Sequence, residues 1–228
     1  MTMKKWGGIA SLVSGIVFLV PLLFYFLLLP AAGSSATHAK DPASFLPWMV
    51  ADGNLRIALW WIVAFAFLMM MFGVPSALRR EIDQSSPVGA RMSELAGVFG
   101  TFILVVSSLM LAAGEMPIGQ AFVNAGQASQ DAIVTLYEWQ RLVTALLFDV
   151  LGFGLLGVWI GVASVSGLRS KTLSPWFAVF GILASFLLFC FAVGYALDVS
   201  WLGESGIGAA SFLALPVWLI WFGVRCVR

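Results

Sequence analysis

Apolar residues along this chain come in runs too long and too uniform for the stripes of a soluble core. Windows with few charges recur roughly at 7–30, 55–78, 95–114, 141–166, 175–197 and 207–225, and about 20 apolar residues per helix is what a hydrocarbon layer about 30 Å thick requires. The pattern does not alternate polar with apolar, as the strands of an outer-membrane barrel would. Helices are left to satisfy the backbone buried in lipid. The expected fold is therefore all-α: a polytopic membrane helix bundle with six transmembrane helices, forming one domain over residues 1–228.

Punctuation between the runs predicts where the helices stop. Met1 to Ala36 imitates a secretory signal, but the apolar run Ile9 to Leu29 exceeds the 7–15 residues usual for such a segment. It is read as a retained anchor helix. Pro21 is expected to kink it, and Ser14 and Gly15 to let a neighbour approach. In the connection 31–54, the run F-L-P-W-M at 45–49 reads as a piece lying in the membrane interface. Asn54 is the expected cap of the second helix and Ser93 that of the third, which should end near Pro117. Residues 79–94 mix signs and suit a solvated connection. The polar stretch 119–136 has helical character in its later part and can run straight into the fourth helix. Ser174 and Pro175 mark the start of the fifth.

The fourth run carries the most suggestive residues. Glu138 and Arg141 stand at its start, Asp149 lies within it, and glycines follow at Gly152, Gly154, Gly157 and Gly161. At about 100° per residue, Asp149 falls within about 20° of Glu138, with Arg141 and Gly152 about 60° and 40° to one side. Gly154, Gly157 and Gly161 fall about 100–160° away, which suits helix packing on a second face. An Asp some 10 Å below the membrane boundary costs about 2.5–3.5 kcal/mol and must find a donor, water or a proton. The stripe Glu138, Arg141, Asp149 is thus a candidate polar or ion relay, or a clamp between helices. The two-faced fourth helix is expected inside the bundle.

Charge adds orientation. Lys4, Lys5, Arg79, Arg80, Arg91, Arg169, Lys171, Arg225 and Arg228 fall on the side of the termini, and only Lys40, Arg56 and Arg141 on the other. Nine against three places both termini in the cytoplasm. The acids Asp41, Asp52, Glu115, Asp131, Glu138, Asp198 and Glu204 would make the opposite face acidic. A net charge of +1, with 10% charged residues against 61% hydrophobic, offers no basic surface for nucleic acid.

Other chemistries find little support. Cys190 and Cys226 have neither redox nor metal spacing, and consecutive Met69, Met70 and Met71 point around a helix, away from any common centre. With His38 as the single histidine, paired histidine ligation of haem or zinc has no residues. No lysine lies in a predicted span to hold a Schiff base. No cofactor or metal is expected. Gly203-Glu204-Ser205-Gly206 resembles the G-x-S-G of rhomboid intramembrane proteases, which makes Ser205 a candidate nucleophile, yet no histidine follows to serve as base.

With N-L-R-I-A-L at 54–59, the glycine-rich fourth helix and L-S-P-W-F-A-V-F-G-I-L-A at 173–184, the chain resembles a group of bacterial six-helix integral membrane proteins classed as a domain of unknown function; the long 31–54 connection departs from that pattern. The resemblance implies a bacterial inner membrane. The expected function is non-enzymatic: a membrane subunit with the lipid bilayer and a membrane-protein partner or second copy as its company, or else a proton- or cation-coupled transporter centred on Asp149.

Overall fold

Each long apolar run folds as a helix, and no strand occurs among the described residues. The computed structural model describes residues 2–33, 41–83, 86–197, 199 and 206–227, apart from the side chains of 25, 26 and 206–209. His38, Lys40, Asp198, Glu204 and Ser205 lie outside the described residues. Six helical runs are long and apolar enough to cross a membrane: Met3–Leu23, Asn54–Ile82, Pro87–Asn124, Gln127–Arg169, Pro175–Ala196 and Ala210–Val227.

The first run is α1 (Met3–Leu23), a π-helical turn (Phe24–Leu28) and the short α2 (Leu29–Ala31). Pro21 has no N–H to give its own helix, and the wider turn follows directly after it. The helix starts at Met3, so Lys4 and Lys5 lie in its first turn, before the predicted span. Then comes α3 (Pro42–Asp52), capped by Asp41, whose carboxylate accepts from the N–H of Ala43 at 3.2 Å. The predicted interfacial piece is thus a helix, and its apolar side is turned to protein: Phe45, Leu46 and Met49 are fully buried. Trp48 donates to the Ala32 carbonyl at 3.0 Å.

The second run divides into α4 (Asn54–Met71) and α5 (Val74–Ile82). Gly53, not Asn54, occupies the cap position of α4. The connection expected over 79–94 is largely helical, because α5 runs to Ile82 and α6 (Pro87–Asn124) begins at Pro87. Part of its charge is paired: Arg79 lies 2.5 Å from the Glu94 carboxylate, which also accepts from Ser76 at 2.8 Å. Ser93 does not cap a helix. It is buried within α6 and donates to the Trp159 carbonyl at 3.2 Å.

The third run is the long α6, which passes through Pro117 and ends at Asn124. Proline inside a membrane helix is tolerated where packing holds the segment in place, and here α6 packs on α3, α4, α5 and the fourth run. Its small residues permit this. A Cβ added to Gly97 would lie 2.9 Å from the Trp159 ring, and one added to Gly119 3.0 Å from the Leu46 carbonyl oxygen. More of its apolar window is buried (56%) than of the fourth run's (39%). The bundle is therefore organised around the third spanning helix, while the fourth, expected inside the bundle, keeps an exposed flank of Leu142, Leu146 and Leu151.

The fourth run is α7 (Gln127–Ala145), a π-helical segment (Leu146–Gly152) and α8 (Phe153–Arg169). It is followed by α9 (Pro175–Ala196), with Ser174 at the cap position and Pro175 first in the helix. The last helix is α10 (Gly206–Val227). It closes tightly on α1. Ser11 donates to the Leu219 carbonyl at 2.7 Å, and a Cβ on Gly15 would lie 2.7 Å from the Ile220 side chain. The start of α1 and the end of α10 sit at one end of the bundle, where Lys4 and Arg225 each approach Glu81, at 2.9 and 3.8 Å. That end is called here the terminal end, and the opposite one the far end.

Candidate functional site

At the far end, where the sequence pattern predicts an acidic face, charge is buried. Arg56 in the first turn of α4 meets Glu115 of α6 through two hydrogen bonds, Nε to one carboxylate oxygen at 2.7 Å and Nη2 to the other at 2.8 Å. Glu115 is 1% exposed and Arg56 15%. Aromatic rings enclose the guanidinium: its centre is 5.1 Å from the Phe45 ring centroid and 5.7 Å from that of Trp60. Tyr137 stacks on Phe45 at 5.4 Å. The sequence pattern does not announce this pair, because a helix ending near Pro117 would leave Glu115 outside, whereas α6 runs through Pro117 to Asn124. The residue pattern does hold a clue: Arg56 opens an apolar run in a helix start rich in Trp and Ile, a place where a cation needs a partner.

The three residues of the predicted stripe lie along the fourth run without converging. Glu138 is exposed, on a shallow hollow of about 220 Å³ shared with Thr135, Trp139 and Leu142. Arg141 is partly buried, 6.0 Å from the Tyr137 ring, so it belongs with the aromatic cluster. Asp149 is also partly buried and lies within the π-helical segment. Neither Glu138 nor Asp149 has a hydrogen-bond or ion-pair partner among the described residues. Ser107 and Ser108 do not serve Asp149, because their hydroxyls turn back to the Ile103 and Leu104 carbonyls of their own helix.

The π-helical segment also changes the phase on which the stripe was drawn. An i→i+5 turn advances each residue by less than an α-turn does, so Glu138 and Asp149 are not related by simple α-helical spacing. One feature with no sequence cue stands beside Asp149. Phe148 points into an aromatic layer, edge-to-face with Trp60, Phe67 and Phe153 at 5.6, 6.0 and 5.3 Å. Phe153 continues the layer to Phe191 and Phe212. Toward the terminal end, Leu156, Trp159 and Ile160 are fully buried, so the helix below Asp149 turns an apolar face to its neighbours.

The four glycines divide between two neighbours. A Cβ on Gly152 would lie 2.6 Å from Leu104 of α6. Gly154, Gly157 and Gly161 face α9 instead: the added atoms would lie 4.0 Å from Ala192, 3.1 Å from Phe189 and 2.5 Å from the Ser185 hydroxyl. Ser185 uses that closeness to donate to the Gly157 carbonyl at 2.8 Å. No group of three or more His, Cys, Asp or Glu able to hold a metal ion occurs among the described residues.

Comparison with protein-family models, with curated proteins and with solved structures returns no match. The functional reading therefore rests on the geometry of the chain itself.

Proposed function

We propose that this chain is a non-enzymatic inner-membrane subunit of a bacterium, with its terminal end in the cytoplasm, that binds a partner helix within the bilayer. The observation that carries this reading is Asp149, which has no hydrogen-bond or ion-pair partner among the described residues and stands beside the exposed leucines Leu146 and Leu151. A carboxyl group in hydrocarbon is stabilised only by a donor, water or its own proton. A donor on a helix packed against the Leu142–Leu146–Leu151 flank would meet that requirement from outside the chain, and that helix belongs to another protein or to a second copy. The bias of lysine and arginine toward the terminal end supports the orientation.

The test is the company the protein keeps after gentle extraction from its native membrane. Wild type should carry an additional transmembrane chain in stoichiometric amount. Asp149→Leu should lose it, and Asp149→Asn, which retains a donor and an acceptor, should keep part of it. Wild type running alone, or a complex indifferent to Asp149→Leu, contradicts the reading.

A second reading takes Asp149 as the carrier of a coupling proton or cation, with Glu138 and Arg141 above it. Its support is the π-helical segment that holds Asp149, a local irregularity frequent at functional sites. Proteoliposome proton flux that Asp149→Asn abolishes would favour it over partner binding; flux unchanged by that substitution would end it.

A further inference from the structure

At the terminal end, the turn between α8 and α9 and the last turn of α10 enclose an open hollow of about 560 Å³. This is within the range of sites that hold small ligands. Its polar lining is Lys171, Thr172, Ser174 and Arg225, and Leu168 and Pro175 form its apolar rim. We propose that this hollow binds the headgroup of an anionic phospholipid, its phosphodiester lying between Lys171 and Arg225.

Charge complementarity is the first argument. Arg225 is fixed in place: its Nη2 donates to the Thr172 carbonyl at 2.5 Å and stands 3.8 Å from Glu81. Glu81 is already shared with Lys4 at 2.9 Å, so it does not offset the whole positive charge of this corner. Lys171 is exposed and has no ion-pair partner among the described residues, and Arg169 two residues earlier is likewise exposed and unpaired there. A rigid guanidinium that keeps donors beyond its backbone bond, set beside an unengaged ammonium, suits a phosphate oxygen pair. Thr172 and Ser174 belong to the same lining; the Thr172 hydroxyl is paired with that of Ser170 at 2.9 Å, whereas Ser174 makes no cap bond to α9 and suits a hydroxyl or second oxygen of a headgroup.

The local backbone agrees with a role for this lysine. α8 ends at Arg169 with Ser170 at its cap position, and Lys171 takes the left-handed conformation that follows, with φ 59°. That position usually belongs to glycine, so lysine here has a use other than ending the helix. Ser174 makes no side-chain bond to the first turn of α9, which leaves the N–H groups of that turn as a lesser source of positive potential.

Position decides between lipid and free anion. The hollow lies at the turn joining two spanning helices, which is the level of headgroups. Trp176, next to Pro175, is 80% exposed, in the manner of tryptophans that sit at the membrane–water boundary. A ligand with a phosphate head and hydrocarbon tails fits both the basic lining and the apolar rim; a free phosphate uses only the first.

The test is native mass spectrometry and thermal unfolding of the full chain in nanodiscs of phosphatidylcholine, with and without phosphatidylglycerol. Wild type should retain phosphatidylglycerol in preference to phosphatidylcholine and unfold at higher temperature in its presence. Lys171→Gly removes the charge while easing the backbone. It should fold at least as well in phosphatidylcholine and bind phosphatidylglycerol about fivefold more weakly, the size expected of one lysine at an anionic surface. Arg80→Gln, which removes an exposed charge outside the hollow, should leave the preference intact. The proposal is overturned by any of four results: no preference in wild type, an undiminished preference in Lys171→Gly, an equal loss in Arg80→Gln, or the same stabilisation by inorganic phosphate in phosphatidylcholine discs.

Discussion

Two carboxylates in this molecule answer the same physical demand in opposite ways. Glu115 is withdrawn among helices and rings at the far end, and both its oxygens are taken by Arg56. Asp149 lies deeper along the fourth run and no described residue takes either of its oxygens. A charge that must leave water is expensive unless it is paired. Where the chain itself supplies the partner, as at Glu115, the residue holds two helices together. Where the chain leaves the carboxyl open, the compensation has to come from outside, and the residue is available for binding.

The strongest way to break the comparison is at Glu115. Glu115→Ala takes from the largely buried Arg56 guanidinium the carboxylate that accepts two of its hydrogen bonds and should cost about 3–5 kcal/mol, read as a lower midpoint of unfolding in mild detergent. Replacing both partners together, Arg56→Met with Glu115→Leu, should recover most of that loss, since an apolar pair of similar volume restores packing without stranding a charge. If the double variant is as unstable as the single one, the aromatic box depends on the guanidinium itself and the pair is more than a clamp.

Asp149 should respond with the other sign. Asp149→Leu removes an unpartnered polar group, and the chain stripped of partners should gain about 1–3 kcal/mol. A loss of similar size would mean that Asp149 is satisfied within the fold and that the contrast with Glu115 is false. Ser185→Ala provides the small end of the scale. It deletes the bond to the Gly157 carbonyl, and membrane hydrogen bonds of this kind are worth about 0.6 kcal/mol. An effect several times larger would show that the seam between α8 and α9 hangs on that one bond rather than on glycine packing.

The contrast between the two carboxylates also shows what could be read without coordinates. The spanning helices were legible because a run of about 20 apolar residues has few other uses, and Ser174–Pro175 marked the start of α9 because a missing N–H costs nothing there. Glu115 was not legible. Pro117 looked like a stop, and only the packing of α6 against α3 and α4 carries the helix through it to Asn124. Ser93 and Asn54 were misplaced as caps for a related reason, since hydroxyl and amide groups suit helix starts by local rules, whereas Ser93 is claimed by a carbonyl on another helix. The prominence of the fourth helix came from its glycines. The small residues Gly97 and Gly100 in α6 form a less conspicuous pattern, yet they bring the bulk of Trp159 and Leu155 against the most buried span. The π-helical segment around Asp149 had no local mark at all, and it displaces the phase from which the Glu138–Asp149 stripe was drawn.

The most direct test of the open carboxyl is site-specific photocrosslinking from the flank beside it. A photoreactive residue placed at the exposed Leu146 in otherwise unaltered protein should join a second transmembrane chain in native membranes, and should stop doing so when Asp149→Leu is added. The same probe at the exposed Phe102 of α6 should capture lipid alone. Crosslinking from Leu146 to lipid only, or to a protein partner with equal yield whether or not Asp149 is present, would contradict the account.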